Sequence, residues 1–286
     1  KDHIRAKSER AGLLIAGANG MGFYNVRDRV IAGGFDTREH PYPGNVTLIS
    51  QSGAGMSGIV DCEERIDFNL AVSSGYELTV SMEDYLDYAL DCPETVVVGL
   101  FLETSRHPAK LIAAFKKAQQ RQIPILVLKV GRTALAAALA VSHSGALAGS
   151  DDCYSALFEY YGVQRVDDMD QLATALIMFA QPNALADGGL VCLHDSGGER
   201  QLLIDLADML GVPLTVLNDD TAAQLEAQLD PGLPAINPLD GWGAGGPNAS
   251  ANMADCFTTI LADAGAALGA VIHDRGPNSQ LYGSYL

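Results

Sequence analysis

The feature that most constrains the fold is the alternation of short apolar segments with amphipathic ones along the 286-residue chain. From Asn45 onward, runs such as Asn45–Ser50 and Thr95–Glu103 have the character of buried strands, and the segments between them have helical periodicity. Strands that alternate with helices predict parallel sheets covered on both faces. Ligand-binding groups lie beyond the carboxyl ends of such strands, so the turns after the strands are the places to search for a site.

The alternation is interrupted once and then restarts. The weakly patterned segment Gln181–Gly188 resembles a linker, and a new strand is predicted at Leu190–His194, followed by another at Val212–Val216. The length supports two domains, since a domain takes about 150 residues. We therefore predict an α/β protein with two doubly wound parallel sheets.

The charge and hydrophobicity of the chain exclude several classes of protein. The net charge is 18 − 35 = −17, which argues against binding to nucleic acid or to an anionic membrane surface, because both need a basic field. Hydrophobic residues make up 48% of the chain, which excludes wholesale disorder. No apolar run approaches the ~20 residues that would span a bilayer. Since the first residue is Lys1, we expect an excised piece of a longer protein.

The cysteines indicate a reducing compartment. They are odd in number and form no CxxC pair or Cys/His cluster, so neither a disulfide framework nor a metal site is predicted. The five are Cys62, Cys92, Cys153, Cys192 and Cys256. We expect a cytoplasmic protein.

Two strand–turn–helix loops are built alike. Thr47–Gly55 and Leu190–Gly198 each contain a buried strand, a Ser-Gly turn and a helix that begins at once. Glycine lets the backbone approach a ligand, and exposed N–H groups at a helix N-terminus favour an anion. The alternative is an ordinary tight turn capped by serine, although two such loops favour phosphate. Neither is a P-loop, because no Lys-Ser/Thr follows the glycines.

His143 has the most unusual setting of the six histidines. It lies among small residues in Ser142–Gly149, between a predicted strand and a predicted helix. Glu103, at the end of a strand, could accept a hydrogen bond from one ring nitrogen and leave the other free as a nucleophile. A lone loop histidine is more often a surface residue, but together with two anion-binding loops His143 indicates a phosphohistidine site.

Six motifs together resemble the NDP-forming acyl-CoA synthetase family, relatives of succinyl-CoA synthetase. In order, they are GlyAsnValThrLeuIleSerGlnSerGly, ValGlyLeuPheLeuGlu, LeuLysValGlyArg, SerHisSerGlyAlaLeuAlaGlySer, SerGlyGly and AsnProLeuAsp. The resemblance is good from Asn45 to about Asp240. It implies two flavodoxin-like domains, 41–182 and 183–286, preceded at 1–40 by the remnant of a coenzyme A-binding Rossmann-like domain.

The resemblance also assigns roles to individual residues. His143 would be transiently phosphorylated and Glu103 would orient it. Two helices would hold phosphate through residues at their starts: Ser50, Ser52 and Gly53 in the first loop, and Ser196, Gly197 and Gly198 in the second. Asn19 would lie near the coenzyme A or acyl pocket. Two departures from the family pattern concern these positions. Ser144 follows His143 where threonine is usual, and the second loop has His194-Asp195 and Glu199 where the family often has Thr-Asn and Ala.

The reaction that the resemblance implies joins a small carboxylic acid to coenzyme A while ATP becomes ADP and phosphate. ATP and Mg²⁺ would be bound by an ATP-grasp domain or subunit that the sequence does not contain, and coenzyme A by a domain of which little is present. These would be the partners of the chain, in an oligomeric assembly. On its own, the fragment should neither hydrolyse ATP nor make thioesters.

Some alternatives stay open at this point. Lys129 and Arg132 could contact a phosphate, although pairing with the many acidic residues is favoured. Asn237 and Asp240 could shape a loop near the phosphates or simply end a strand. The whole chain could instead be a non-catalytic sensor module fused to another enzyme, or a scaffold for assembly. The histidine at 143 favours an enzyme.

Overall fold

The computed structural model describes residues 2–34, 37–136, 150–182, 185–241 and 248–273. The chain divides into two compact units, Lys1–Pro182 and Asn183–Leu286. Each unit is an α/β structure with a parallel-dominated sheet, as the alternation of strands and helices predicts.

The first unit contains a seven-stranded sheet with the order β2-β1-β4-β3-β5-β6-β7. Its strands are β1 (Gly22–Asn25), β2 (Val30–Gly33), β3 (Val46–Ser50), β4 (Phe68–Ser73), β5 (Val97–Leu102), β6 (Ile125–Lys129) and β7 (Gln164–Val166). The five strands from β3 to β7 are parallel to one another. At the other edge, β1 pairs antiparallel with both β2 and β4, so a hairpin extends the sheet.

Helices cover both faces of this sheet. The helices of the first unit are α1 (Asp2–Ala11), α2 (Gly53–Cys62), α3 (Met82–Asp91), α4 (Pro108–Arg121), α5 (Asp151–Tyr161) and α6 (Met169–Phe179). Successive side chains of β3 point to opposite faces, and the core follows them. Ile49 packs in a cluster with α3, α4 and α5, whereas Leu48 packs in a cluster with α2 and α6. The sheet is therefore doubly wound, which confirms the predicted fold class.

The second unit contains a parallel three-stranded sheet in the order β10-β8-β9. Its strands are β8 (Gly189–His194), β9 (Leu239–Asp240) and β10 (Ala266–Ile272), and its helices are α7 (Gly197–Leu210), α8 (Asp219–Gln228) and α9 (Ala249–Leu261). The core lies between the sheet and the last two helices, where Val191 and Leu193 pack with Leu225 and Ile260.

The strand predicted over Val212–Val216 is wrong. This segment makes only a single bridge to the sheet, between Leu214 and Leu190. The side-chain amide of Asn237 donates to the carbonyl of Thr215 at 3.0 Å, a group that a neighbouring strand would otherwise bind. Val216 is 92% exposed, so the end of the segment has no core to pack against.

Candidate functional site

The first loop is shaped by its own serines at the carboxyl end of β3. The Ser50 hydroxyl accepts from the Ser52 amide at 3.1 Å and donates to the Ser52 carbonyl at 2.6 Å. The Ser52 hydroxyl then caps α2 by accepting from the Gly55 amide at 3.1 Å. A capping serine of this kind stabilises a helix by about 1 kcal/mol. The turn is therefore held in one conformation by local bonds.

The start of α2 fits an anion. Within the described part of the chain, no hydrogen bond engages the amide N–H of Gly53 or Ala54, and the first turn of α2 contains no acidic side chain. These N–H groups and the helix dipole place positive potential there. Gly53 lets the Met21 side chain pack against the loop, since a Cβ at this position would lie 2.4 Å from Cγ of Met21.

Gln51 connects this loop to the end of β5. Its side chain is buried, and its Oε1 accepts from the amides of Glu103 at 2.7 Å and Thr104 at 3.0 Å. Its Nε2 donates to the Thr104 carbonyl at 2.8 Å. The first loop and the segment that carries Glu103 are thus held together by one glutamine.

Glu103 is half-buried, and its backbone is bound on both sides. Gln51 binds its amide, and the ammonium group of Lys129 donates to its carbonyl at 2.8 Å. Lys129 is only 2% exposed, and its Nζ lies 4.8 Å from the centre of the Tyr154 ring. Burial lowers the pKa of Lys129 to about 8, although the nearby carboxylates of Asp151 and Glu103 oppose the shift. Lys129 therefore has a structural task at this site.

Arg132 pairs with carboxylates, as the excess of acidic residues suggests. Its guanidinium lies 2.6 Å from Asp167 and 3.8 Å from Asp151. These partly exposed pairs contribute little to stability individually.

Asn19 lies at the same edge of the sheet. Asn19 has a φ of +54°, and the loop around it packs against Gly75, beyond the end of β4. The Tyr76 amide donates to the Ala18 carbonyl at 2.6 Å, which ties the two loops together. Beside them, the amide of Ser74 donates to the Ser50 carbonyl at 2.8 Å. The structure thus brings Ser50, Glu103 and Asn19 to the carboxyl ends of three adjacent strands. His143 lies outside the described residues.

The second loop has the same plan but different surroundings. Ser196 precedes α7, and no capping bond from its side chain is found in the parts of the chain that the structure describes. Glu199 lies in the first turn, and a Cβ at Gly197 would be 3.5 Å from the carboxylate of Asp240. Gly198 lies in the open, since a Cβ there would meet only the Ser196 hydroxyl at 4.0 Å. The negative side chains reduce the attraction of this helix start for phosphate.

His194 is fully buried at the end of β8 in this second unit. Neither ring nitrogen has a hydrogen-bond partner among the described residues, and the same is true of one carboxylate oxygen each on Asp195 and Glu199. Burial lowers the pKa of His194, and the carboxylates of Glu199 and Asp240 oppose the shift. Across residues 2–34, 37–136, 150–182, 185–241 and 248–273, no group of three or more His, Cys, Asp or Glu could hold a metal ion.

Asn237 has a structural role in the second unit. Its side-chain oxygen accepts from the Cys192 amide at 2.8 Å, and its side-chain nitrogen donates to the carbonyls of Leu190 at 2.8 Å and Thr215 at 3.0 Å. All three bonds go to backbone groups, so the Asn237 side chain ties β8 to the segment after α7.

A cavity of about 290 Å³ lies at the opposite end of the first sheet. It opens where β6 begins, between Phe115, Ile123 and Tyr161, and its lining includes no charged side chain. It therefore offers no group for phosphoryl chemistry.

Among the described residues, no helix has the length and hydrophobicity that a membrane span requires.

The first unit matches a known protein family. Residues 43–179 match the model of the succinyl-CoA ligase like flavodoxin domain. This segment of the chain belongs to that family. It contains the first loop, Glu103 and the position of His143, whereas the second loop lies beyond its end.

The similarity to curated proteins extends past this flavodoxin domain. The chain is 30% identical over 236 residues to the ADP-forming acetate–CoA ligase I of Archaeoglobus fulgidus, covering 82% of this chain and 34% of that protein. It is also 30% identical to the alpha subunit of the ADP-forming acetate–CoA ligase II of Pyrococcus furiosus, covering 82% of this chain and 50% of that subunit. The chain thus spans between a third and a half of these relatives.

The fold has a counterpart among solved structures. A structure of the dinucleotide forming acetyl-coenzyme A synthetase 1 of Ca. Korarchaeum cryptofilum, in complex with phosphate and ADP, matches with a TM-score of 0.81. The match covers 96% of this chain and 59% of that one at 23% identity, so it concerns the fold alone.

Two buried polar residues of the flavodoxin domain were missed by sequence analysis. Gln51 could have been noticed, since it directly follows a buried strand between two serines of the loop. Glu77 had no such signal, because it lies in the irregular segment between β4 and α3. The carboxylate of Glu77 accepts from the Gln51 side chain at 2.9 Å, so both residues belong to the site.

Proposed function

We propose that the chain is the core of an ADP-forming acyl-CoA synthetase that works through a phosphohistidine at His143. The anion-binding start of α2 beside Glu103 supports this proposal, together with the similarity to ADP-forming ligases over 82% of the chain. The full reaction would convert a small carboxylic acid, coenzyme A and ATP into acyl-CoA, ADP and phosphate.

The chemistry can be written as three displacements. A ring nitrogen of His143 attacks the γ-phosphorus of ATP, forming an N–P bond as the bond to the ADP oxygen breaks. The substrate carboxylate then attacks the phosphorus and releases the histidine, giving an acyl phosphate. The coenzyme A thiolate finally attacks the acyl carbon and phosphate leaves. A neutral imidazole is required in the first step, and a hydrogen bond to Glu103 would fix its tautomer.

The helix start at Ser50, Ser52 and Gly53 would hold the transferred phosphoryl group. Charge builds up on the phosphoryl oxygens during transfer, and backbone N–H groups aimed at them stabilise it without reorganisation. Ser196, Gly197 and Gly198 would form a second anion site in their own unit, weakened by neighbouring carboxylates. Asn19 would line the coenzyme A or acyl pocket.

The remaining machinery would come from partners. An ATP-grasp domain or subunit would bind ATP and Mg²⁺, and a complete coenzyme A-binding domain would extend from residues 1–40. The domains would be 41–182 and 183–286, and the assembly would be an oligomer in the cytoplasm. The relatives from Archaeoglobus fulgidus and Pyrococcus furiosus, which are longer than this chain, agree with such an assembly.

The proposal is tested by labelling. The complete protein, with its ATP-binding part, is mixed with Mg²⁺ and ATP labelled at the γ-phosphate, and acid-labile, base-stable label is followed. We expect the label to appear on His143 and to vanish in His143→Ala, with the far-UV circular dichroism unchanged.

The matched control is His3→Ala, which removes an exposed histidine from α1 and should label like the wild type. Label that persists in His143→Ala, or that maps to another residue, would disprove the phosphohistidine. A wild-type protein that binds ATP but never becomes labelled would instead favour the sensor module.

A further inference from the structure

Glu77 is a buried carboxylate with four hydrogen-bond donors around it. It is 3% exposed, and its Oε1 accepts from Gln51 Nε2 at 2.9 Å, from the Ser74 hydroxyl at 2.8 Å and from the Met82 amide at 3.1 Å. Its Oε2 accepts from Nε of Arg106 at 2.9 Å. A buried charge is tolerated only when it is paired and hydrogen-bonded, and this one is.

The backbone conformation of Glu77 also indicates that its surroundings hold the residue in place. Its φ is +52°, in the left-handed region that residues other than glycine rarely adopt. Such a conformation persists where surrounding contacts determine it, and these positions cluster at functional sites. Here the contacts are the four hydrogen bonds to the carboxylate.

The charge of Glu77 determines which way the Gln51 amide faces. Because the carboxylate only accepts hydrogen bonds, it binds the NH₂ side of Gln51. The oxygen of the amide must then face the N–H groups of Glu103 and Thr104, to which it is bonded. A reversed amide would place its NH₂ group against the two backbone N–H donors and its oxygen against two acceptors, the Glu77 carboxylate and the Thr104 carbonyl.

We propose that Gln51 is a positioning residue for phosphoryl transfer, which Glu77 locks in the orientation that fixes Glu103 against the phosphate loop. Gln51 belongs to the turn that precedes α2, so any shift of its side chain moves the loop and Glu103 relative to each other. This inference rests on the proposed function, since Glu103 is the carboxylate expected to orient His143.

A second connection reinforces the first. Ser74, whose hydroxyl donates to Glu77, also donates its backbone amide to the Ser50 carbonyl at 2.8 Å. Glu77 therefore holds the start of the first loop through two adjacent residues, Ser50 by way of Ser74 and Gln51 directly. Glu83, the neighbouring buried carboxylate, binds Ser105 at 2.5 Å and the His107 amide at 3.2 Å instead.

The first test compares two variants that each remove a buried amide from the same unit. Gln51→Met removes the acceptor for the two amides, and Asn69→Leu removes a buried amide bonded to Thr47 and Thr95 at 2.7 Å. Asn69 lies near the amino end of β4, away from the loop. Both variants are made in the complete protein, and their thermal midpoints and His143 phosphorylation rates are measured.

We expect both variants to lower the thermal midpoint. Gln51→Met should reduce the maximal phosphorylation rate about 100-fold, because misplacing a reacting group by about 1 Å can have an effect of that size. The ATP concentration for half-saturation should stay unchanged, since ATP would bind to another part of the protein. Asn69→Leu should phosphorylate within about three-fold of the wild type. Equal rates in Gln51→Met and the wild type would overturn the proposal.

The second test asks whether Glu77 acts through Gln51. Glu77→Gln keeps the shape but removes the charge that selects the amide orientation, and we expect a roughly ten-fold slower phosphorylation. The double variant should be no slower than Gln51→Met alone, because the two residues act in one chain of contacts. If the rate reductions of the two single variants multiply in the double variant, the coupling is overturned. If Gln51→Met does not fold, the rate of Glu77→Gln alone serves as the test.

Hydrogen exchange separates the two levels of inference. The amides of Glu103 and Thr104 should exchange at least ten-fold faster in Gln51→Met than in the wild type, whether or not the protein is phosphorylated. Unchanged exchange would refute the positioning itself. Faster exchange in a protein whose wild type never becomes labelled would refute the proposed function and the catalytic purpose of Gln51, while the contact stands.

Discussion

The two strand–Ser–Gly–helix loops share a sequence pattern but not an environment. In the first, Ser52 caps α2 and the first helical turn has no acidic side chain. In the second, Ser196 makes no described capping bond, Glu199 lies in the first turn, and the carboxylate of Asp240 lies beside Gly197. A glycine turn at a helix start therefore indicates where an anion could approach, whereas neighbouring charge decides whether the anion is attracted.

The largest effect is expected when the first loop is given an acidic residue like that of the second. Ala54→Glu places a carboxylate in the first turn of α2, at an exposed position. It should lower the His143 phosphorylation rate about 100-fold, since the carboxylate competes with the phosphoryl group for the helix start. The same variant should stabilise the helix by about 0.3–1 kcal/mol.

The control for this charge is Ala54→Gln, which adds similar bulk without charge and should phosphorylate within about three-fold of the wild type. Rates and urea unfolding are measured on the same preparations. If Ala54→Glu and Ala54→Gln behave alike, the start of α2 is not where the phosphoryl group binds.

The difference in capping gives a smaller effect. Ser52→Ala removes a hydrogen bond to the Gly55 amide and should lower the free energy of unfolding of the first unit by about 1 kcal/mol. Ser196→Ala removes no described capping bond and should change the stability of the second unit by less than about 0.5 kcal/mol. Denaturant titrations of the two single variants measure both. Equal losses would show that the two serines cap alike.

The smallest effect concerns pH and the second loop. Burial lowers the pKa of His194 below its ordinary value of 6.5, while Glu199, Asp240 and Asp195 oppose the shift and Arg200 adds to it. The unfolded chain therefore binds the proton first, so the second unit should lose stability as the pH falls below about 6.5.

Hydrogen exchange of β8 between pH 7 and pH 5 follows this loss, after correction for the intrinsic pH dependence of exchange. His194→Phe should make the opening free energy of β8 less dependent on pH, whereas the exposed His3→Gln should leave the dependence unchanged. A pH dependence that survives in His194→Phe would assign it to the surrounding carboxylates.

The predictions from sequence succeeded where the signal is local. The parallel strands from β3 to β6 lie within a few residues of the apolar runs, because buried strands must be apolar along their whole length. The serine turn and helix of the first loop follow from capping and glycine chemistry, which act over four residues. The strand predicted at Val212–Val216 failed because both terminal valines are exposed and the carbonyl of Thr215 binds the Asn237 amide instead of a neighbouring strand.

Local sequence was enough to predict the doubly wound α/β class, the two glycine turns and the placement of Glu103 at a strand end, since each depends on neighbouring residues. Only the tertiary structure decided that β1 and β2 extend the sheet as a hairpin, and that Gln51 joins Glu77 to Glu103. Gln51 is separated by 26 positions from Glu77 and by 52 from Glu103 along the chain. Contacts between such distant residues depend on how the strands are ordered in the sheet, and no local pattern encodes a partner that folding brings in from elsewhere.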